Sequence, residues 1–204
     1  MKTLAIECAS EACSVALFDE GRLVAHDHRL QGRGHAESLI PMIAGLPGKG
    51  RAERILVSRG PGSFTGVRIG IAAARALGIA WQAEVLGYPT LALVAAIARA
   101  KFPDSLVSIA MRGGHGEVFV QDFDAAGMPQ GEAVSLAPDP AALFCQHGVI
   151  AGTMAQEIVA LKGSGIAEVI HPDARRVPDI PQVLITPDTA PVYGRGPDAK
   201  MPAQ

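Results

Sequence analysis

The sequence has few cysteines, almost no net charge and no long uninterrupted apolar run. Its cysteines, Cys8, Cys13 and Cys145, are an odd number without metal-site spacing, which predicts a reducing, cytoplasmic compartment and no stoichiometric zinc or iron. Gly, Arg or Pro interrupts each apolar run before it could cross a bilayer, so we expect no membrane segment and no signal peptide. With 18 basic and 20 acidic residues, and no Lys/Arg cluster, the chain alone should bind tRNA negligibly at physiological salt.

Apolar residues are abundant: 49% of the 204 residues are hydrophobic, enough for the core of one domain or two small ones. Apolar periodicity and turn signals predict a first series of strands at residues 3–7, 13–18, 23–29, 54–58 and 85–87, with helices at 36–46, 63–81 and 90–100. A weaker second series has strands at 106–110, 117–123, 132–136, 149–151 and 168–170, with helices at 140–146 and 154–161.

The order of these elements predicts the fold class. The first series reads β-β-β-α-β-α-β-α, the order of ribonuclease-H-like sheets, in which an antiparallel meander is extended by parallel strands. Because the second series repeats it, we expect an α/β, duplicated actin-like fold with a lobe at residues 1–102 and a reduced second lobe at 103–204. The Pro-rich tail should wrap the surface with Pro191, Val192 and Tyr193 pinned down. Fold analogy alone raises nucleotide binding as a hypothesis.

The segment at residues 58–70 organises the first half. Pro61 and Gly62 end a strand, and the Ser63 hydroxyl can cap the helix that follows. Along that helix small residues fall four apart and form one bare ridge: Gly66, Gly70, Ala74 and Gly78. Since each interior glycine costs a helix about 1 kcal/mol relative to alanine, the ridge indicates that another backbone approaches closely there.

Three interpretations of this ridge remain open from the pattern. The helix is apolar nearly all round, so the ridge could face the core of the chain itself or the surface of a partner. A phosphate-binding loop is the third, although Val67 stands where the P-loop pattern requires lysine.

Several segments match one protein family. They are 4–7, 11–17, His35, 39–42 and 60–70, with weaker matches at Arg112, 116–119 and 191–195. In these the chain resembles the bacterial TsaB (YeaZ) family of tRNA threonylcarbamoyladenosine biosynthesis, a glycoprotease-like family with the duplicated actin-like fold. It departs from the family by carrying Glu7 and Ala110 where aspartate is usual.

The resemblance implies a non-catalytic partner that activates TsaD, the catalytic paralogue, and is joined by TsaE, an ATPase; the complex modifies adenosine 37 of tRNA. It implies tRNA contact only through the complex, ATP or ADP only within it, and no tightly bound cofactor or activity alone. The implied partner-binding residues are His35, Leu39, Met42, Phe64, Gly66, Val67, Gly70, Ile71, Ala74 and Gly78. A Gly70→Leu change should then block the partner and a homodimer formed in its absence, without loss of stability. If the ridge instead faces the core of the chain itself, the same change should overpack it and cost about 1 to 3 kcal/mol.

Two other functions remain as alternatives. A nucleotide-binding enzyme of actin-like fold would use a remnant ligand site at Glu7, Ser10, Arg112 and Glu117. The loop after Glu7 has no glycine and carries Glu11 where phosphate needs positive charge. A glycoprotease-like peptidase would need Ser63 or Cys13 as nucleophile, but no base with an orienting group accompanies either, and we expect no catalytic residue.

Overall fold

A computed structural model describes residues 1–194 of the chain and contains two five-stranded mixed sheets. The strands of the first sheet are β1 (Lys2–Glu7), β2 (Ala12–Asp19), β3 (Arg22–Leu30), β4 (Arg54–Ser58) and β5 (Glu84–Tyr88). Their order is β3-β2-β1-β4-β5, with β1 to β3 antiparallel and β4 and β5 parallel to β1. The predicted meander with parallel extension is therefore confirmed.

The second sheet repeats this topology. Its strands are β6 (Val107–Arg112), β7 (Val118–Phe123), β8 (Val134–Leu136), β9 (Val149–Ala151) and β10 (Ile166–Glu168), in the order β10-β9-β6-β7-β8. Strand β6 takes the central place of β1, and β7 and β9 flank it as β2 and β4 flank β1. The duplicated actin-like fold is thus present. The last strand lies two residues earlier than the predicted 168–170.

Within residues 1–194, five α-helices cover the sheets: α1 (His35–Gly45), α2 (Phe64–Trp81), α3 (Thr90–Lys101), α4 (Pro138–Phe144) and α5 (Ala155–Lys162). One core lies between the first sheet, α1 and α2, and another lies between the second sheet, α4 and α5. A third and larger core joins the facing sides of both sheets around α3. The layers therefore lie in the order α1 and α2, first sheet, α3, second sheet, α4 and α5.

The chain after Ile170 returns to the first sheet. The Ala174 N–H donates to the Ser14 hydroxyl over 3.0 Å, and the His28 ring lies 3.3 Å from the Pro172 carbonyl oxygen. The predicted second domain, 103–204, therefore includes a segment that packs on the first lobe. Pro191, Val192 and Tyr193, which we expected to be held against the surface, lie within the described residues. Arg195 lies outside them.

Candidate functional site

The N-terminus of α2 packs directly on the backbone that joins β1 to β2. The Ser63 hydroxyl accepts from the Gly66 N–H over 3.2 Å, which confirms the predicted cap, and the Ser63 N–H donates to the Ala9 carbonyl over 2.7 Å. A methyl group on Gly66 would overlap the carbonyl oxygen of Cys8. The close approach that the glycines indicated is therefore between two parts of this chain.

The rest of the ridge faces the first sheet. A Cβ on Gly70 would lie 3.5 Å from the Cys8 Cβ and from a Val57 methyl group; Ala74 is fully buried, and a Cβ on Gly78 would overlap Val85. The prediction that the ridge is the docking surface is wrong, and the core alternative is correct. The spacing of small residues indicates that a backbone comes close, but not whose backbone it is.

Most other predicted partner-binding residues are also interior. Five of them lie in the core beneath α1 and α2: His35, Leu39, Met42, Val67 and Ile71. The His35 Nε2 atom lies 2.9 Å from the Ser10 carbonyl oxygen and 3.2 Å from that of Ala12, which ties α1 to the β1–β2 loop. Of the predicted set only Phe64 is exposed, at 55%, so the buried residues do not present their side chains to a partner.

The outer faces of α1 and α2 carry an apolar surface that the residue-by-residue prediction missed. Ile79 on α2 is 83% exposed and Ile40 on α1 is 50% exposed. The same two helices expose further small and apolar residues: Pro41 and Ala44 on α1, and Ala72, Ala76 and Ala80 on α2. We call these seven residues the outer helix face. Its signal in the sequence was the apolar character of α2 on nearly all sides.

The Glu7 carboxyl group is fully buried at the end of β1. It accepts from the Ala9 N–H over 2.6 Å and from the Tyr88 hydroxyl over 3.3 Å. Burial raises the pKa of Glu7 to about 7, and hydrogen bonds from Ala9, Ser58, Tyr88 and Cys8 oppose part of that rise. The carboxyl group is therefore bonded to its own lobe.

The other residues of the predicted ligand remnant have separate partners. Ser10 Oγ accepts from the Ala12 N–H over 3.1 Å, and Glu117 accepts from the Ser135 hydroxyl over 2.6 Å. Arg112 is exposed, and its backbone N–H donates to Thr153 Oγ1 over 2.9 Å. Within residues 1–194, no three His, Cys, Asp or Glu side chains come together as metal ligands. These contacts do not assemble the four residues into one site.

The two predicted nucleophiles have other contacts. Ser63 is the cap of α2, and the Cys13 thiol is buried 3.6 Å from that of Cys8. The Cys8 thiol lowers the pKa of Cys13, while the hydrogen bond with Cys13 and burial raise the pKa of Cys8.

A buried serine and a buried aspartate lie near a partly buried histidine in the second lobe, but the three do not form a triad. The Ser108 hydroxyl donates to Asp122 itself, and His147 Nε2 lies 2.8 Å from Gln130 Oε1. His147 therefore does not stand between Ser108 and Asp122, as the base of a Ser-His-Asp triad does.

Comparison with known families matches most of the chain. Residues 29–171 match the family described as "TsaD: tRNA N6-adenosine threonylcarbamoyltransferase". The chain is 37% identical over 139 residues to the tRNA threonylcarbamoyladenosine biosynthesis protein TsaB of Escherichia coli, covering 65% of this chain and 60% of that protein. It is 38% identical to the Haemophilus influenzae protein of the same name over 42% of that protein's length. The chain thus spans less than two thirds of these relatives.

Solved structures agree with the fold over nearly the whole chain. YeaZ from Pseudomonas aeruginosa superposes with a TM-score of 0.79 and 27% identity, covering 94% of this chain and 99% of that one. The ethanolamine utilization protein EutJ from Carboxydothermus hydrogenoformans superposes with a TM-score of 0.52 over 88% of this chain and 89% of that one. At 12% identity the second match concerns the fold alone.

Proposed function

Because this chain belongs to the TsaD family, and there to its TsaB (YeaZ) proteins, we propose that it is a non-catalytic partner subunit that holds and activates a TsaD-type transferase. The joint product is the threonylcarbamoyl modification of adenosine 37 in tRNA. The observation that carries this proposal is the outer helix face. It combines exposed Ile40 and Ile79 with small residues that let a partner helix approach closely.

The surroundings of Glu7 also favour a non-catalytic role for this chain. Glu7, the acidic group at the position from which actin-like enzymes would hold a metal and phosphate, is buried and bonded to Ala9 and Tyr88. A carboxyl group of raised pKa that faces its own lobe is poorly placed to bind a hydrated cation. Catalysis is therefore assigned to the TsaD-type partner.

The remaining partners follow from the same proposal. A TsaE-type ATPase joins the pair, tRNA is contacted only through the complex, and the assembly works in the cytoplasm. When the partner is absent, two copies of the chain pair through the outer helix face as a homodimer. Among the described residues, no helix is both long enough and apolar enough to cross a membrane.

An Ile79→Asp variant tests the docking surface. Ile79 is 83% exposed, so the chain should fold with an unchanged melting temperature. Docking would bury the new carboxylate without a partner, and affinity for the TsaD-type protein should fall by at least about 30-fold. Isothermal titration with the purified partner measures this, and sedimentation of the free variant should give a monomer.

The matched control is Leu143→Asp. Leu143 on α4 is 81% exposed at the opposite end of the layers, so the same chemical change is made far from the outer helix face. It should alter neither affinity nor self-association. Equal losses in both variants, or none in Ile79→Asp, would refute the assignment of this face.

We also expect no cofactor tightly bound to the chain alone. Titration of ATP with magnesium should give no saturable binding below about 1 mM. The loop after β1 has no glycine, and it carries the negative charge of Glu11 where a phosphate group would need positive charge. Saturable binding well below that concentration would favour the alternative of a self-sufficient nucleotide-binding enzyme. The same titration with the TsaD-type partner present distinguishes binding that needs the complex.

A further inference from the structure

Residues 186–194 form a strap that crosses the first lobe after the chain has returned to it. Thr186 and Gly87 exchange backbone hydrogen bonds of 2.7 and 3.0 Å, which places the strap beside the edge strand β5. Farther along, the Val192 N–H donates to the Arg59 carbonyl over 2.7 Å. The strap therefore runs from the sheet edge to the turn that precedes α2.

Side chains of the α2 region hold the strap at three points. The Arg59 guanidinium donates to the Asp188 carboxylate over 2.6 Å. Arg75 donates to Thr189 Oγ1 over 2.8 Å, and Arg68 Nε donates to the Tyr193 hydroxyl over 2.9 Å. Because Thr189 meets the middle of α2 and Tyr193 meets its beginning, the strap lies antiparallel to the helix.

The contact between Tyr193 and Arg68 covers part of the exposed side of α2. The Tyr193 and Phe64 ring centroids are 5.3 Å apart, and the Arg68 guanidinium lies 3.6 Å from the Phe64 centroid. Phe64, Arg68 and Ala72 are four residues apart and thus lie along one exposed side of the helix. The strap occupies the N-terminal part of that side and leaves the part near Ile79 open.

The side chains of the strap are partly or fully exposed. None of its residues is buried, so its docking removes little apolar surface from water. Exposed ion pairs and hydrogen bonds of this kind contribute little, and segments with few buried contacts open at low free-energy cost. The Arg59 Nε–H, moreover, has no hydrogen-bond partner within residues 1–194.

We propose that residues 186–194 are an autoinhibitory strap: the surface on which a TsaD-type partner docks continues from the outer helix face along α2 to Phe64 and Arg68, which the strap contacts, and docking displaces the strap. The inference rests on the proposed function. A chain whose docking surface is open only part of the time binds with an affinity reduced by the open fraction. Release of the strap should therefore tighten binding.

A strap variant, Asp188→Asn with Thr189→Val and Tyr193→Ala, tests this without altering α2. Its affinity for the purified TsaD-type partner should rise at least about threefold, and the Val192 amide should exchange hydrogen faster in the free chain. The control is Val183→Ala, since Val183 is 68% exposed and precedes the strap. That control should change neither quantity. An unchanged or lower affinity in the strap variant overturns the proposal.

Hydrogen exchange of the wild-type chain gives a second test. Saturation with partner should accelerate exchange at the amides of Thr186 and Val192, which the strap contacts protect in the free chain. Slower exchange would mean that the strap stays in the interface, and the inference fails while the proposed function stands. If neither wild type nor strap variant binds the partner, the proposed function fails and the strap inference fails with it.

Discussion

Replacing Gly66 by alanine should destabilise the chain by about 3 kcal/mol or more, a large fraction of the roughly 5 to 15 kcal/mol by which folded proteins are ordinarily stable. A helix interior ordinarily prefers alanine to glycine by about 1 kcal/mol. At this position the added methyl group overlaps the backbone carbonyl of Cys8 and can be accommodated only if α2 moves away from the first sheet. Urea unfolding followed by circular dichroism measures the change.

Gly70→Ala is the matched control on the same ridge. Its Cβ would lie 3.5 Å from the Cys8 Cβ and from a Val57 methyl group, which is ordinary contact, so the gain in helix propensity should stabilise the chain by about 0.5 to 1 kcal/mol. The larger Gly70→Leu change should instead overpack this core and cost about 1 to 3 kcal/mol, the result expected for a ridge that faces the core of the chain itself. Equal effects of Gly66→Ala and Gly70→Ala would contradict the observed contacts.

A Glu7→Gln variant should be more stable than the wild type above pH 7, by as much as about 3 kcal/mol. Burial raises the pKa of Glu7 from its ordinary 4.5 to about 7 in the folded chain. The amide has nearly the same shape and carries no charge. Its oxygen can accept from the Ala9 N–H, and its NH₂ group can donate to the Tyr88 hydroxyl, which itself donates to the Ile6 carbonyl.

The pH dependence follows from the direction of this shift. Below pH 4.5 the carboxyl group is protonated in both states, so its contribution to stability is fully present. Between pH 4.5 and about 7 only the unfolded chain ionises, and the free energy of unfolding falls as pH rises. Above about pH 7 the loss is complete and constant.

Urea unfolding of both proteins from pH 5 to 8 checks this prediction. The difference between Glu7→Gln and wild type should grow with pH and then level off. Glu37→Gln, which replaces an exposed carboxylate on α1, is the control and should keep the pH profile of the wild type. A Glu7→Gln variant that is less stable at pH 8 would mean that the ionised group is well stabilised where it lies.

Element order and topology could be read from the sequence because they depend on local patterns. Alternating apolar residues and turns marked the meander of β1 to β3, and the same order after residue 106 indicated the duplication. The predicted boundaries were less accurate for short strands: the strand predicted at 168–170 is β10 at Ile166–Glu168. A three-residue strand contains too little periodicity to mark its own ends.

The sequence by itself determined that α2 is capped by Ser63, is apolar on nearly every side and carries a ridge for a close backbone contact, because capping and periodicity are properties of neighbouring residues. Only the tertiary structure decided which backbone meets that ridge. The β1–β2 loop and the first sheet pack against the ridge, so the exposed face of α2 is a different one, around Ile79. Contacts of the Arg59–Asp188 kind join residues far apart in the chain, and no local pattern encodes such a pairing.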